Sequence, residues 1–255
     1  MYLNGDSILE SWGAPLRIIE WNIRHGGSRK RIPGIIDSIG RLDTDIAVLT
    51  EFRCNSEEII RQGLAQKGLK NIITSNPMPR TNGILVASKE EIRQIPINHI
   101  TPDLRHRWLD LFVPSGDFRL LCVHIPGASE KKDKAAFWKS ILAYAEDLKN
   151  ERALILGDFN TGLKQDAQGT PFVFSNYMDE LISKGWTDAW RVRNPEKREY
   201  TWYSNDSNGF RLDNAFSSPR LRLEVIDVHY SHEPRLEGHS DHSVLILEMT
   251  QRTNK

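Results

Sequence analysis

Cysteine is scarce in this sequence, and its scarcity excludes two classes of protein. Only Cys54 and Cys122 occur, so the chain has neither a disulfide framework nor the CxxC spacing of a zinc site. Cys122 lies in an apolar run at 120–123, which predicts a small buried side chain. We therefore expect a reducing compartment, the cytoplasm, as the location of the chain.

An excess of charge is also absent, and so are long apolar runs. The 34 lysines and arginines balance 34 aspartates and glutamates, so the whole chain is not a polycation that holds nucleic acid by releasing counterions. No apolar run approaches the ~20 residues of a membrane span. Residues 1–14 lack the basic start and the apolar stretch of a signal peptide. We expect a soluble globular protein without membrane contact, in which a local basic patch is still possible.

The organisation of the chain favours one domain over 1–255, with an extension at 1–14 and a tail at 250–255, because no linker or repeat interrupts it. Helices are predicted near 32–42, 56–68, 132–149 and 176–184. Strands are predicted at 16–21, 45–50, 84–87, 108–113, 118–123, 153–156, 211–216, 223–229 and 244–249. Several strands are apolar at successive positions, which indicates burial on both faces and a layered α/β fold. In segment 185–191, Asp188 and Arg191 are one helical step apart and are expected to form a structural pair.

The segment GDFN at 157–160 is the most informative stretch, because it follows the apolar strand at 153–156. An acid and an amide two residues apart in an extended chain point to the same side. Asp158 can bind a hard cation or accept a proton from water, and Asn160 can donate and accept hydrogen bonds without charge. The pair suits hydrolysis of a phosphate ester, although Gly-Asp after a strand is also ordinary turn chemistry.

Polar residues of the same few types lie at the ends of other predicted strands. In chain order they are Asn22, Glu51, His124, Asp158 with Asn160, Asp213, and Asp241 with His242. If the strands share sheets, the end of one strand and the start of its antiparallel neighbour occupy the same edge, so these side chains should converge on one rim. Each residue alone also has a structural explanation: a turn former, a solvated acid, or, for Asp213, a partner of Arg211. Six segments that all end in residue types of one reaction are much harder to obtain by chance.

In sequence order, these motifs resemble those of the endonuclease/exonuclease/phosphatase family, which includes deoxyribonuclease I, exonuclease III and the abasic-site endonucleases. The matching segments are WNIR at 21–24, TE at 50–51, VH at 123–124, GDFN at 157–160, RLDNAF at 211–216 and SDH at 240–242. The resemblance covers nearly the whole chain. It implies an α/β four-layer sandwich, in which two packed mixed β-sheets are flanked by helices and the site lies at one edge.

The resemblance also implies a metal site. Glu51 would be the principal ligand of Mg²⁺ or Mn²⁺, with Asn22 and Asp241 near the metal and the phosphate. Mg²⁺ prefers oxygen ligands and keeps several waters, so a site with few protein carboxylates suits it better than Zn²⁺. Such a cation places positive charge where a phosphodiester transition state develops negative charge.

Catalytic roles are implied for five further residues. Asp158 would activate the attacking water with support from Asn160. Asp213 would hold His242 against the scissile phosphate, and a carboxylate on one imidazole nitrogen favours the cationic ring. His124 would protonate the leaving oxygen, since histidine titrates near neutrality.

Two departures from the family pattern bear on these roles. The abasic-site enzymes carry an acid two residues after the asparagine of WN, and this chain has Arg24 there, which argues against a two-metal site. In deoxyribonuclease I the leaving-group histidine is supported by a glutamate before a mid-chain strand. The comparable stretch PRTN at 79–82 has no acid.

Basic segments flank the predicted site. RHGGSRKR at 24–31 follows Asn22, and KKDK at 131–134 follows His124. They suit a polyanion such as nucleic acid, or they simply keep the surface solvated. An aromatic at 202 could stack on a base or sugar, or belong to the core. The candidate substrate contacts are Arg24, Arg29, Lys131 and Trp202.

We expect a divalent-metal-dependent phosphodiester hydrolase, an endo- or exonuclease acting on nucleic acid by in-line attack of an activated water. A phosphomonoesterase or phosphodiesterase for a small-molecule or lipid-linked phosphate is the alternative. A catalytically inactive binding module is the third reading. Its signature would be loss of a metal ligand or of His242, and neither is lost.

Overall fold

The structure is a computed structural model that describes residues 14–250. The predicted extension at 1–14 and tail at 250–255 therefore lie outside the described residues, except for Ala14 and Thr250. The strands are β1 (Leu16–Asn22), β2 (Ile46–Phe52), β3 (Asn71–Thr74), β4 (Gly83–Ser88), β5 (Arg93–Gln94), β6 (Trp108–Val113), β7 (Phe118–His124), β8 (Ala153–Asp158), β9 (Thr187–Asp188), β10 (Trp202–Tyr203), β11 (Gly209–Phe210), β12 (Asp213–Ser217), β13 (Val225–Ser231) and β14 (Val244–Met249).

The four predicted helices are present to within a few residues, as α1 (Ile32–Arg41), α2 (Glu57–Gln66), α3 (Lys131–Asp147) and α4 (Ser175–Ser183). A short helix that was not predicted follows as α5 (Glu233–Leu236), and 3₁₀ turns lie at Cys54–Ser56, Pro102–Arg107 and Lys164–Asp166. Pro33 stands in the first turn of α1, where its missing N–H costs nothing. Across residues 14–250, no helix is long and apolar enough to cross a membrane.

The strands form two six-stranded sheets and a separate two-stranded hairpin, β10–β11. The first sheet has the order β13-β14-β1-β2-β4-β3, and the second has the order β5-β6-β7-β8-β12-β9. Each sheet contains one parallel pair, β1–β2 in the first and β7–β8 in the second, among antiparallel neighbours. Both sheets are therefore mixed, as predicted.

Three apolar clusters show how the layers are stacked. The central cluster lies between the sheets and includes Val48 of β2 and Leu156 of β8. A second cluster packs the first sheet against α1 and α2, and a third packs the second sheet, including Ile155, against α3 and α4. Successive residues of β8 thus face different clusters, which explains its unbroken apolar sequence. The predicted four-layer sandwich is confirmed.

The predicted strand at 211–216 begins two residues late, because Arg211 is occupied by ion pairs. Its fully buried guanidinium contacts Asp166 at 2.7 Å and Asp188 at 2.5 Å. The proposed partner of Asp188 was Arg191, but only the backbone N–H of Arg191 donates to Asp188, at 2.9 Å. The Arg191 guanidinium pairs with Asp166 instead. Asp166, in the loop after β8, is thereby joined to Arg211 just before β12 and to Arg191 just after β9.

Candidate active site

The strand ends that carry the predicted residues meet at one edge of the sandwich. In the parallel pair of the second sheet, His124 stands opposite Asp158, and Asp158 stands opposite Asp213 of β12. In the first sheet, Asn22 stands opposite Thr50, one residue before Glu51. The two sheets therefore contribute separate halves of one rim.

Asp158 is buried and fixed by hydrogen bonds from both sides. Asn22 Nδ2 donates to its Oδ2 at 2.9 Å, and the backbone N–H of Asn160 donates to its Oδ1 at 2.8 Å. Burial raises the pKa of Asp158 to about 7, although the nearby His242 imidazolium lowers it. The preceding Gly157 is required by packing, because a Cβ there would lie 1.9 Å from the carbonyl oxygen of Val123.

Asp213 and His242 form a buried ion pair beside Asp158. His242 Nδ1 lies 3.1 and 3.0 Å from the two Asp213 oxygens. Burial lowers the pKa of His242, but the Asp213 carboxylate outweighs it and raises the pKa to about 10. One ligand atom from each of Asp158, Asp213 and His242 lies within 4.8 Å of the others. A carboxyl group with a pKa of about 7 therefore stands next to an imidazolium that is charged at neutral pH.

Glu51 is aimed by an irregularity in β2. Its φ is 53°, in the left-handed region that non-glycine residues rarely adopt, and the pairing of β2 with β4 shifts register between Thr50 and Phe52. Such bulges re-aim a side chain at the end of a strand. The result is that Glu51 Oε2 accepts from the backbone N–H of His25 at 2.8 Å. Glu51 Oε1 lies 3.9 Å from His124 Nε2.

His124 is buried between two carboxylates but does not carry a ready proton. Its Nε2 lies 3.9 Å from both Glu51 Oε1 and Asp158 Oδ2, which is too long for a hydrogen bond. Burial, with the positive charge of Arg107, lowers the pKa of His124 well below its usual value. The ring is therefore neutral near pH 7, contrary to the expectation that it titrates there. Its role as leaving-group acid stays a prediction.

The candidate substrate residues divide into two groups. Trp202 is partly buried and its Nε1 donates to Asp241 Oδ2 at 3.3 Å, while Arg24 Nε lies 3.7 Å from the same oxygen. Both therefore border the segment that carries His242. Arg29 and Lys131 are exposed, and within residues 14–250 neither side chain forms a hydrogen bond or an ion pair.

Lys134 does not belong to a solvated basic segment, and that interpretation of 131–134 is wrong for this residue. Its side chain is buried, and Nζ donates to the Asn160 carbonyl at 2.5 Å. Burial lowers the pKa of Lys134 to about 8. The sequence does indicate this burial, because Lys134 lies four residues before Trp138 and seven before Ile141, a spacing that places it on the apolar face of the helix.

Glu20 is a site residue that the motif comparison missed. It is fully buried on β1, and its Oε1 accepts from Thr50 Oγ1 at 2.9 Å. Burial, together with the charges of Asp213 and Asp158, raises the pKa of Glu20 well above its usual value. The buried surroundings therefore favour the protonated form of this acid. The sequence feature that indicates a buried acid here is the position of Glu20 inside the apolar run IIEW at 18–21.

An apolar cavity of about 360 Å³ opens beside Asn160. Its walls come from the β10–β11 hairpin and from the loop before α4. They include Trp202, Phe210, Leu212 and Phe172. The cavity is large enough for one sugar or base and has no acidic wall residue.

Comparison with known proteins identifies the family. Residues 19–242 match the model of the endonuclease/exonuclease/phosphatase family. The chain belongs to this family, as its motifs predicted. The family and the fold define a phosphoesterase hydrolase of the nuclease type.

Similar proteins agree in fold but are distant in sequence. An AP endonuclease from Archaeoglobus fulgidus has a TM-score of 0.79 at 19% identity, covering 92% of this chain and 99% of that one. A 3'-5' exonuclease from Neisseria meningitidis has a TM-score of 0.78 at 21% identity, covering 91% and 99%. A 3' phosphatase from Neisseria, solved with a product DNA hairpin, has a TM-score of 0.77 at 21% identity, with 92% and 99% covered.

One curated relative is much longer than this chain. It is an uncharacterized 149 kDa transposon protein from Xenopus laevis, 28% identical over 141 residues. These residues are 52% of this chain but only 10% of that protein. The chain therefore corresponds to a small part of this relative.

Proposed function

We propose that this protein is a divalent-metal-dependent phosphodiesterase that cleaves nucleic acid. The observation that carries the proposal is the pairing, on one rim, of a buried carboxyl group of near-neutral pKa, Asp158, with a cationic imidazole, His242. A general base works best when its pKa lies near the working pH, and a fixed positive charge stabilises the dianionic transition state.

Asp158 is the base in this proposal, and its neighbours orient it. Asp158 Oδ2 accepts from Asn22 Nδ2 and, at 3.4 Å, from Asn160 Nδ2, whereas Oδ1 accepts from the backbone N–H of Asn160. A carboxylate offers about four acceptor positions, so one position on Oδ1 is left to receive a proton from the attacking water. Asn160 is itself anchored, because its Nδ2 donates to the Ile125 carbonyl at 2.9 Å.

His242 holds charge at the phosphate instead of transferring a proton. Because Asp213 raises its pKa to about 10, the ring is charged throughout the neutral range. The backbone carbonyl of His242 accepts a hydrogen bond from Trp21 Nε1 at 3.0 Å, which fixes the backbone at this point. The ring can therefore donate Nε2–H to a phosphate oxygen without moving.

The residues at the rim fit a divalent cation. Glu51, Asn22 and Asp241 offer carboxylate and amide oxygens, the ligands that Mg²⁺ and Mn²⁺ accept. Among the described residues, nothing donates a hydrogen bond to Glu51 Oε1, so its lone pairs are available. When bound, such an ion would neutralise the phosphate and polarise a P–O bond.

Nucleic acid is the substrate class that the surroundings favour. The cavity beside Asn160 and Trp202 is large enough for one sugar or base, and the segment 24–31 borders the site with a local excess of positive charge. The similar AP endonuclease and the 3' phosphatase with its DNA hairpin support the same class. A cytoplasmic location and a single catalytic domain stay predictions.

The test is an activity panel with Mg²⁺, Mn²⁺ and EDTA on plasmid DNA, single-stranded DNA, RNA, bis(nitrophenyl) phosphate and a phosphate monoester. Wild type is compared with Asp158→Asn and with Asp43→Asn, whose side chain is exposed at the opposite end of β2. Loss of the base should lower kcat on diesters by about 100- to 10,000-fold, whereas Asp43→Asn should match wild type.

Three outcomes would contradict the proposal. Turnover of the monoester alone would replace it with a phosphomonoesterase. No turnover with any metal would favour a binding module. Full activity of Asp158→Asn would remove this carboxylate from the reaction.

A further inference from the structure

Lys134 is a buried cation to which the proposed reaction gives no role. Its side chain is fully buried on α3, an environment in which lysine is almost never found without a partner. Nζ donates to the backbone carbonyl of Asn160 at 2.5 Å, and within residues 14–250 no carboxylate forms an ion pair with it. Burying a charge without an ion pair is costly, so this contact is a candidate for function.

The turn at Asn160 fixes the orientation of the Asp158 carboxylate. The φ angle of Asn160 is 46°, in the left-handed region that non-glycine residues rarely adopt. In this conformation its backbone N–H donates to Asp158 Oδ1 at 2.8 Å, and its Nδ2 donates to the Ile125 carbonyl at 2.9 Å. The carbonyl of Asn160 accepts from Lys134. The ammonium therefore completes the set of hydrogen bonds that hold this turn.

Helix α3 supports the turn at two successive residues. Lys134 bonds to Asn160, and Trp138 Nε1 donates to Thr161 Oγ1 at 3.3 Å. Residues four apart lie on the same face of a helix, so both contacts come from one side of α3. Lys134, Trp138 and Thr161 are all fully buried. Lys134 therefore has no access to a substrate phosphate, and any effect on the reaction passes through the turn.

The ammonium also lies within electrostatic reach of Asp158. Burial lowers the pKa of Lys134 to about 8, and the negative charges of Asp158 and Glu130 oppose this effect. The side chain is thus mostly charged at pH 7. A charged donor forms a stronger hydrogen bond than a neutral one, which makes the bond to the Asn160 carbonyl a firm restraint on the backbone.

We infer that Lys134 is a positioning residue of the proposed phosphodiesterase, which holds the Asn160 turn so that Asp158 faces the attacking water. The inference rests on the proposed function. It gives α3 a part in the reaction without contact with substrate or metal. The metal-ligand candidates Glu51 and Asn22 lie on the first sheet, whereas α3 packs against the second. Loss of the Lys134 contact should therefore affect the chemical step more than metal or substrate binding.

Steady-state kinetics on bis(nitrophenyl) phosphate test this separation. Methionine nearly matches the length of lysine but has neither charge nor N–H, so Lys134→Met should lower kcat by about 10- to 100-fold, the scale of a small misplacement of a catalytic group. KM and the metal concentration for half-maximal rate should change by less than about twofold. Lys134→Arg keeps the charge and an N–H donor and should stay within about fivefold of wild type. Lys139→Met, an exposed lysine of the same helix, should match wild type.

A double variant shows whether Lys134 acts through Asp158. Residues that act as a unit have non-additive effects on kcat. In the Asp158→Asn background, Lys134→Met should therefore cost less than about a further twofold. An undiminished additional loss, an unchanged kcat in Lys134→Met alone, or equal losses in Lys134→Met and Lys134→Arg would overturn the inference.

The turn is also tested without substrate or metal, by the NMR signal of the Asn160 amide proton. Its hydrogen bond to a carboxylate places this signal downfield, and Asp158→Ala marks its position when the acceptor is lost. In Lys134→Met the signal should move upfield in the same direction, while urea unfolding shows an intact fold. An unmoved signal, or loss of the fold, would overturn the inference. A signal that moves as expected in a protein whose wild type cleaves no phosphodiester would instead refute the proposed function.

Discussion

Replacing Asp213 with asparagine keeps the size of the side chain but removes the charge that holds His242. In the wild-type protein, both Asp213 oxygens lie within 3.1 Å of His242 Nδ1. Burial alone lowers the pKa of this ring, and the Asp213 carboxylate reverses that effect. Asp213→Asn removes the negative charge that mainly opposes the effect of burial, so the pKa of His242 should fall below 6.5.

The magnitude follows from the pKa. A rise from 6.5 to about 10 corresponds to about 5 kcal/mol in favour of the charged ring in the folded state. Because the folded pKa is raised, this stabilisation is fully present below pH 6.5 and is lost as the pH rises through about 10. At neutral pH, Asp213→Asn should therefore lower the free energy of unfolding by about 3–5 kcal/mol, the usual cost of removing one partner of a buried pair.

The assay is a histidine-detected NMR pH titration of the metal-free protein, combined with urea unfolding near pH 7. Asp227→Asn serves as control, since it breaks the exposed pair with His229 and should change neither result appreciably. A His242 pKa that stays above about 8 in Asp213→Asn would show that another group holds the charge, and would refute this account of the site.

Two further predictions concern buried groups. Glu20→Gln keeps an acceptor for Thr50 without an ionisable proton. The raised pKa of Glu20 makes its stabilisation fully present below pH 4.5 and lost as the pH rises. In urea unfolding the variant should therefore gain free energy of unfolding relative to wild type as the pH rises above 4.5, and a difference that does not change with pH would contradict this. Arg211→Met removes the charged partner of the buried Asp188 and one of the two partners of Asp166. It should cost about 3–5 kcal/mol in urea unfolding, whereas the exposed Arg220→Met should cost little. A loss as small as that of Arg220→Met would mean that the buried ion pairs contribute no stability.

Much of the scaffold could be predicted because its strands are buried on both faces. The run at 153–156 is apolar at every position, and the structure places its residues in two different core clusters. The rim could be predicted as well, because Asp158 and its counterparts are polar residues at the ends of such apolar runs. Two-residue strands such as β9 could not be found, since their pairing depends on a distant partner, β12.

The orientation of individual side chains could not be predicted from the sequence, because it depends on tertiary contacts. Glu51 faces His25 only because the backbone of β2 turns left-handed there, with Gly26 bonded to its carbonyl. From the sequence alone, Arg211 is a candidate partner for Asp213, which lies two residues away. Alternate residues of an extended segment share a side, but burial with Asp166 and Asp188 satisfies Arg211 elsewhere. That leaves Asp213 for His242.

The site is divided between two sheets, and no strand of one sheet pairs with a strand of the other. Asn22, Glu51 and His242 belong to the first sheet or its margin, and His124, Asp158 and Asp213 belong to the second. At this edge the halves meet through the Asn22–Asp158 hydrogen bond and the His242–Asp213 ion pair. A sliding of one sheet over the other by an ångström would separate both pairs while leaving every strand intact. Turnover would therefore depend on how the two sheets are positioned against each other. Measurements of secondary structure do not detect this property.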